Sequence, residues 1–170
     1  MLKKFFLVTF IFACLPACAY AWKSEAWKLY FSEPQGWEER YINNTTVAFM
    51  APGGGGLIMV GSKPSVGEGY KTGVDLEINK DNIDRVRQRI IDAAKNSGMA
   101  QIDSVRDITI NGRTMIRMSM SVPEENLRLT SVTSVYGQNM YVFTLKTTER
   151  KHRELLPYFE KLLYSICFLK

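Results

Sequence analysis

Residues 49–63 read FMAPGGGGLIMVGSK, and the fold turns on what the glycines in this stretch do. Gly56 and Gly61 have the spacing of a phosphate-binding glycine loop, with Ser62 and Lys63 directly behind them. Such a loop would make the chain an α/β nucleotide-binding protein, whereas a glycine turn between two apolar runs makes it antiparallel. The loop requires Lys before Ser or Thr, and then a helix whose first amides meet the phosphate. Here Ser precedes Lys, the intervening LIMV is an uninterrupted apolar strand, and Pro64 keeps the chain extended. The glycines are therefore read as the tip of a hairpin joining TTVAFMA to LIMVGSK, where backbone without a Cβ is needed.

Outward from that hairpin the punctuation is regular. Upstream, WKLYF (27–31) and WEERYI (37–42) read as strands around the turn Glu33-Pro34-Gln35-Gly36. Downstream, PSVGEGYKTGV (64–74) is a loop too short to be a domain linker. In NKDNIDRVRQRIIDAAKNSG (79–98) the residues Ile83, Val86, Ile90 and Ala94 recur at helical spacing, with Asp81 as expected N-cap and Gly98 as expected stop. Residues 101–147 predict four strands separated by turns at Asn111-Gly112, at Pro123-Glu124-Glu125-Asn126 and at Gly137-Gln138-Asn139. Ile116, Met118, Met120 and Val122 alternate with Arg117, Ser119 and Ser121, which predicts a core face and a wetter one. A closing helical stripe runs through Leu155, Leu156, Phe159, Leu162, Leu163 and Ile166. Pro157 falls either in the first turn of that helix or at a kink in a longer one.

The 170 residues make one domain. Lys3-Lys4 followed by FFLVTFIFACL has the form of an export signal, so residues 1–21 are expected to be removed and residues 22–170 to form the domain. Cleavage after Ala21 fits the small residues of Ala19-Tyr20-Ala21. Leu15-Pro16-Ala17-Cys18 is the competing lipobox-like pattern, with Cys18 as alternative lipidation site. Loss of Lys3 and Lys4 lowers the formal charge from +5 to +3, and the remaining cations are scattered among acids, which argues against nucleic acid as a partner. Cleavage leaves Cys167 as the one remaining cysteine, so no internal disulfide is expected.

Chemistry-bearing patterns are sparse. Residues 75–86, DLEINKDNIDRV, place oxygen donors as a calcium loop does, but Lys80 replaces the turn glycine and Val86 the bidentate glutamate. His152 is the sole histidine, and zinc-type spacings with cysteine or a second histidine are missing. No Gly-x-Ser-x-Gly elbow accompanies it, so a surface histidine is expected. Cys167 is expected to be a buried, inert thiol, and Met115, Met118, Met120 and Met140 to be core fillers in place of a copper site. No cofactor or metal is implied.

Several of these parts occur in a familiar order. They are the Pro-Gln-Gly-Trp turn between two strands, the long amphipathic helix, the meander entered through ITINGRTMIRM and continued by SVYGQNMYVFTLKT, and the closing FEKLLYSICF helix. Over nearly all of residues 26–169 this resembles the PsbP-like fold, and especially its exported bacterial members similar to DcrB. The resemblance implies an α+β domain: an antiparallel sheet of about six strands with the internal amphipathic helix and the C-terminal helix packed on it. It also implies a largely non-catalytic family of accessory and binding proteins, among them a photosystem subunit, a small-GTPase partner and chaperones of hydrophobic effector segments. No shared active-site residues come with it. The expected function is that of an exported, non-enzymatic binding protein of the bacterial envelope, periplasmic or secreted, whose partner is another envelope protein or a hydrophobic peptide. Two alternatives stand beside it: a periplasmic hydrolase with a dispersed site using His152, and a lipoprotein anchored through Cys18.

Overall fold

The computed structural model describes residues 21–64, 77–98 and 100–169. The expected signal sequence before Ala21, with Cys18 in it, and the expected loop after Pro64 lie outside the described residues. In chain order the elements are β1 (Ala21–Ser24), β2 (Leu29–Ser32), β3 (Glu38–Asn43), β4 (Thr46–Met50), β5 (Gly56–Pro64), α1 (Ile83–Ser97), β6 (Gln101–Ile110), β7 (Arg113–Val122), β8 (Leu127–Tyr136), β9 (Asn139–Thr148), α2 (Glu149–Tyr164) and β10 (Cys167–Phe168). The domain is α+β with a large antiparallel sheet, as expected. That sheet has seven strands, not six, in the order β3-β4-β5-β9-β8-β7-β6, and a second sheet has the order β1-β2-β10. The expected WEERYI strand is β3, exposed on every residue and held as an edge by β4 alone. The WKLYF segment joins the small sheet, and β2 starts only at Leu29 because Lys28 adopts φ 53° in a turn after β1.

The opening glycines form a hairpin tip. Gly53, Gly54 and Gly55 all have positive φ, and the amide of Ala51 donates to the carbonyl of Gly56 at 3.0 Å. Gly56 has a different task. A Cβ there would lie 2.2 Å from Cδ1 of Leu155, so its missing side chain lets α2 settle against β5. Asn111 and Gly112 take φ of 50° and 75°, the conformation a type I′ hairpin demands.

Strand register sorts the large sheet into two faces. On one, Phe49, Ile58, Leu145 and Thr130 align across four strands, as do Val47, Val60, Phe143 and Val132. This face packs on α2 and the small sheet, and it contains the main core with Phe159, Leu162, Leu163, Leu29, Phe31 and Met115. The Tyr141 hydroxyl donates to the Trp27 carbonyl at 2.6 Å, tying the small sheet to β9, and burial raises its pKa above the usual phenol value. On the other face, Met50, Leu57, Lys146, Leu129, Met120 and Ile102 form one row. There α1 lies over β6, its Arg87 bonded to Asp107 at 2.6 Å.

Three local expectations are corrected and one pair of alternatives is resolved. Asn82, not Asp81, precedes α1, and its carboxamide oxygen accepts from the amide of Asn79 in place of capping the helix. The Arg117 side of β7 is not simply wet: α2 covers it, Met115 is buried there in the main core, and Ile116, Met118 and Met120 are buried on the opposite side. Of the two readings of the final helix the longer one holds: it starts at Glu149, so Pro157 lies inside it. Pro157 is exposed, which leaves the unpaired carbonyl one turn back accessible to water. That helix ends at Tyr164, short of the expected Phe168, because Ser165 folds back to donate its hydroxyl to the Leu162 carbonyl at 2.7 Å.

Candidate functional site

His152 lies in the first turns of α2, half-buried against the sheet and not on the open surface as expected. The cause is immediate continuity: α2 begins one residue after β9 and must lie back over β8 and β7. Its Nε2 is 2.9 Å from the hydroxyl of Thr130, which is fully buried. Around this pair, Arg128 donates to Glu149 at 3.1 Å and Arg117, with only 13% of its side chain exposed, donates to Glu160 at 3.1 Å. Ser121 donates to Asp103 at 2.9 Å. Burial, then the positive charge of Arg128 and to a lesser degree that of Arg117, lower the pKa of His152, against an opposing pull from Glu149.

A hydrolase would need this imidazole between an accessible hydroxyl and an orienting carboxylate. The structure brings the imidazole to a hydroxyl, but that hydroxyl is sealed beneath the helix and Glu149 is engaged by Arg128. Among the described residues the seam reads as a strap fastening α2 to β7 and β8. Cys167 overturns the buried-thiol expectation: it is exposed, because β10 turns it outward while its neighbour Ile166 enters the core.

Sequence reasoning missed the second face of the sheet as a site in its own right. With α1 over β6, the residues Met50, Leu57, Met59, Leu127, Leu129 and Val142 are only half-buried. They lie together by register on β4, β5, β8 and β9. At the β3 side this face sinks into a groove of about 410 Å³ between Arg40 and Ile42 on β3 and Leu127 on β8. Ile42 is 54% and Tyr41 71% exposed at the same edge. A signal was present. The unbroken LIMV run predicts apolar side chains on both faces of one strand, and α2 with the small sheet can cover only one.

The overall fold has solved counterparts. The solution structure of cyanobacterial PsbP (CyanoP) from Synechocystis sp. PCC 6803 is similar with a TM-score of 0.58 at 16% identity, covering 87% of this chain and 91% of that one. The crystal structure of PA94, a protein of unknown function from Pseudomonas aeruginosa, is similar with a TM-score of 0.55 at 16% identity, covering 85% and 93%. At such identities the likeness shows the fold, which is PsbP-like. No protein-family model matches the chain, and no curated protein matches its sequence. Among the described residues no helix is long and apolar enough to cross a membrane.

Proposed function

We propose that this chain is an exported, non-enzymatic accessory protein of the bacterial envelope, of the kind exemplified by DcrB-like proteins, and that its open sheet face docks an apolar segment of another envelope protein. One observation carries the reading: half-buried apolar residues continuous over four strands and deepening into a groove. Contiguous apolar surface of this kind on a folded domain marks contact sites. The PsbP-like fold supports it as a scaffold, and the Lys3-Lys4 and FFLVTFIFACL segments support export.

Cleavage after Ala21 is preferred to lipidation of Cys18. It would start the mature chain at Trp22, whose ring is buried and stacks on Phe31 with centroids 5.0 Å apart. Intact-mass measurement of the mature protein tests this: a chain beginning at Trp22 is expected, and a diacylated Cys18 terminus would refute it. The docking reading is tested by capture from envelope extract on the immobilised wild type and on a Leu57→Glu/Met59→Glu variant that keeps its circular dichroism. A specific partner retained by the first and lost by the second is expected. Equal retention by both would overturn the reading.

A further inference from the structure

The groove exists because a small residue interrupts the bulk of the open face. Ala48 is its buried floor, and Ile42, Met50, Leu57 and Leu127 form the walls. One residue breaks the apolar pattern. Lys146 lines the groove in the register row that runs Met50, Leu57, Lys146, Leu129, and it is half-buried between the two leucines.

Among the described residues Lys146 has no carboxylate partner. The acids that register places on this face are already engaged: Asp107 by Arg87 at 2.6 Å, and Glu38 by Arg40 at 2.9 Å. A lysine in such a row lays its methylenes on the leucines and brings its ammonium to the mouth of the groove. An anion reaching that ammonium would be held more strongly than in bulk water, since apolar walls lower the local dielectric. Arg40 on the facing wall is balanced by Glu38, so the groove is apolar within and the uncompensated positive charge at its rim is that of Lys146.

We propose that this groove is a binding site for a single-chain anionic amphiphile. The acyl chain lies along Met50, Leu57 and Leu127, and the carboxylate head pairs with the ammonium of Lys146. The proposal rests on the reading that the open face is a docking surface, and adds a ligand class to it. A cationic amphiphile of equal chain length meets the same walls but is repelled at the rim, so charge discrimination is the signature of the site.

The test is calorimetric titration of the mature protein with dodecanoate and with dodecyltrimethylammonium, each below its micellar concentration. The expected result is tighter binding of dodecanoate by the wild type, a tenfold or greater loss in Lys146→Glu, and near-wild-type affinity in Lys146→Arg. Equal binding of the two amphiphiles, unchanged dodecanoate affinity in Lys146→Glu, or binding of neither overturns the site. The broader docking reading is judged separately by the envelope capture. Should Lys146→Glu fail to fold, amide chemical-shift mapping on the wild type decides: shifts centred on Ala48, Leu57, Leu127 and Lys146 are expected, and shifts confined to other strands overturn the proposal.

Discussion

Replacing Gly56 by alanine adds a single methyl at the closest approach of α2 to the sheet. The new Cβ would sit 2.2 Å from Cδ1 of Leu155, while Thr147 Cγ2 at 3.5 Å and Ala51 Cβ at 3.6 Å are ordinary contacts. Leu155 must therefore absorb the overlap. It is 6% exposed and belongs to the main core, so its terminal methyl has little room to rotate away. Overpacking by one methyl costs about 1–3 kcal/mol, against a gain of about 0.4–1 kcal/mol from a stiffer unfolded chain. The net expectation is a loss of about 1–2 kcal/mol, or a fall in Tm of about 3–8 °C for a domain of this size. Leu155→Ala alone should cost about 2–5 kcal/mol through the space it vacates. In the double variant the alanine methyl enters that space, so the combined cost should fall short of the sum by about 1–2 kcal/mol. Urea titration followed by tryptophan fluorescence measures all three. Gly54→Ala is the control: it meets open space but forces φ 78° on a side chain, and Leu155→Ala should not rescue it. Wild-type stability in Gly56→Ala, or strict additivity in the double variant, would refute the claim that this glycine seats the helix.

Other expectations are separable by position. His152 binds its proton less readily folded than unfolded, so the unfolded state takes up protons first and stability falls as pH drops below the ordinary histidine value of about 6.5. Thermal melts between pH 7.5 and 5.5 should show a steeper loss in the wild type than in His152→Gln, and equal slopes would contradict the assignment. Among the described residues the buried Thr147 hydroxyl has no hydrogen-bond partner, so Thr147→Val should match or exceed wild-type stability by about 1 kcal/mol in the same urea assay; a clear loss would contradict this. Asn111 donates to the carbonyls of Tyr164 at 3.1 Å and Ile166 at 3.0 Å while holding φ 50°. Asn111→Ala should thus cost about 2–3 kcal/mol, more than a turn substitution alone, and Asn111→Gly should recover the strain but not the two bonds. No residue of α1 is buried, so its amides should exchange with solvent well before those of β9, as hydrogen exchange would reveal.

Much of this architecture was legible because its signals are local. Asn111-Gly112 marks its hairpin by conformational tolerance, and Ser62 before Lys63 with Pro64 behind already denies a phosphate loop. What stayed hidden depends on partners distant in sequence. Asn111 reads as a turn residue, yet its carboxamide also closes the end of α2, 53 and 55 residues away. Gly56 looks like one more member of a flexible tip until Leu155 is placed against it. The alternation in β7 was read correctly, but alternation cannot say which side a helix will cover, and both sides turned out to be occupied. His152 and Cys167 were misjudged for one reason: burial at a helix start or a short terminal strand is set by where the neighbouring element crosses. The open face was the largest omission, since half-burial has no sequence signature beyond an apolar run longer than one face requires.

The central claim is that the half-buried apolar face of the seven-stranded sheet makes the functional contact. A photo-activated cross-linking side chain placed at Leu57 on that face, and in parallel at Tyr164 on the α2 side, tests it in intact cells. A discrete adduct at Leu57 with none at Tyr164 is the predicted result. Adducts at Tyr164 alone, or identical patterns at both positions, would contradict it.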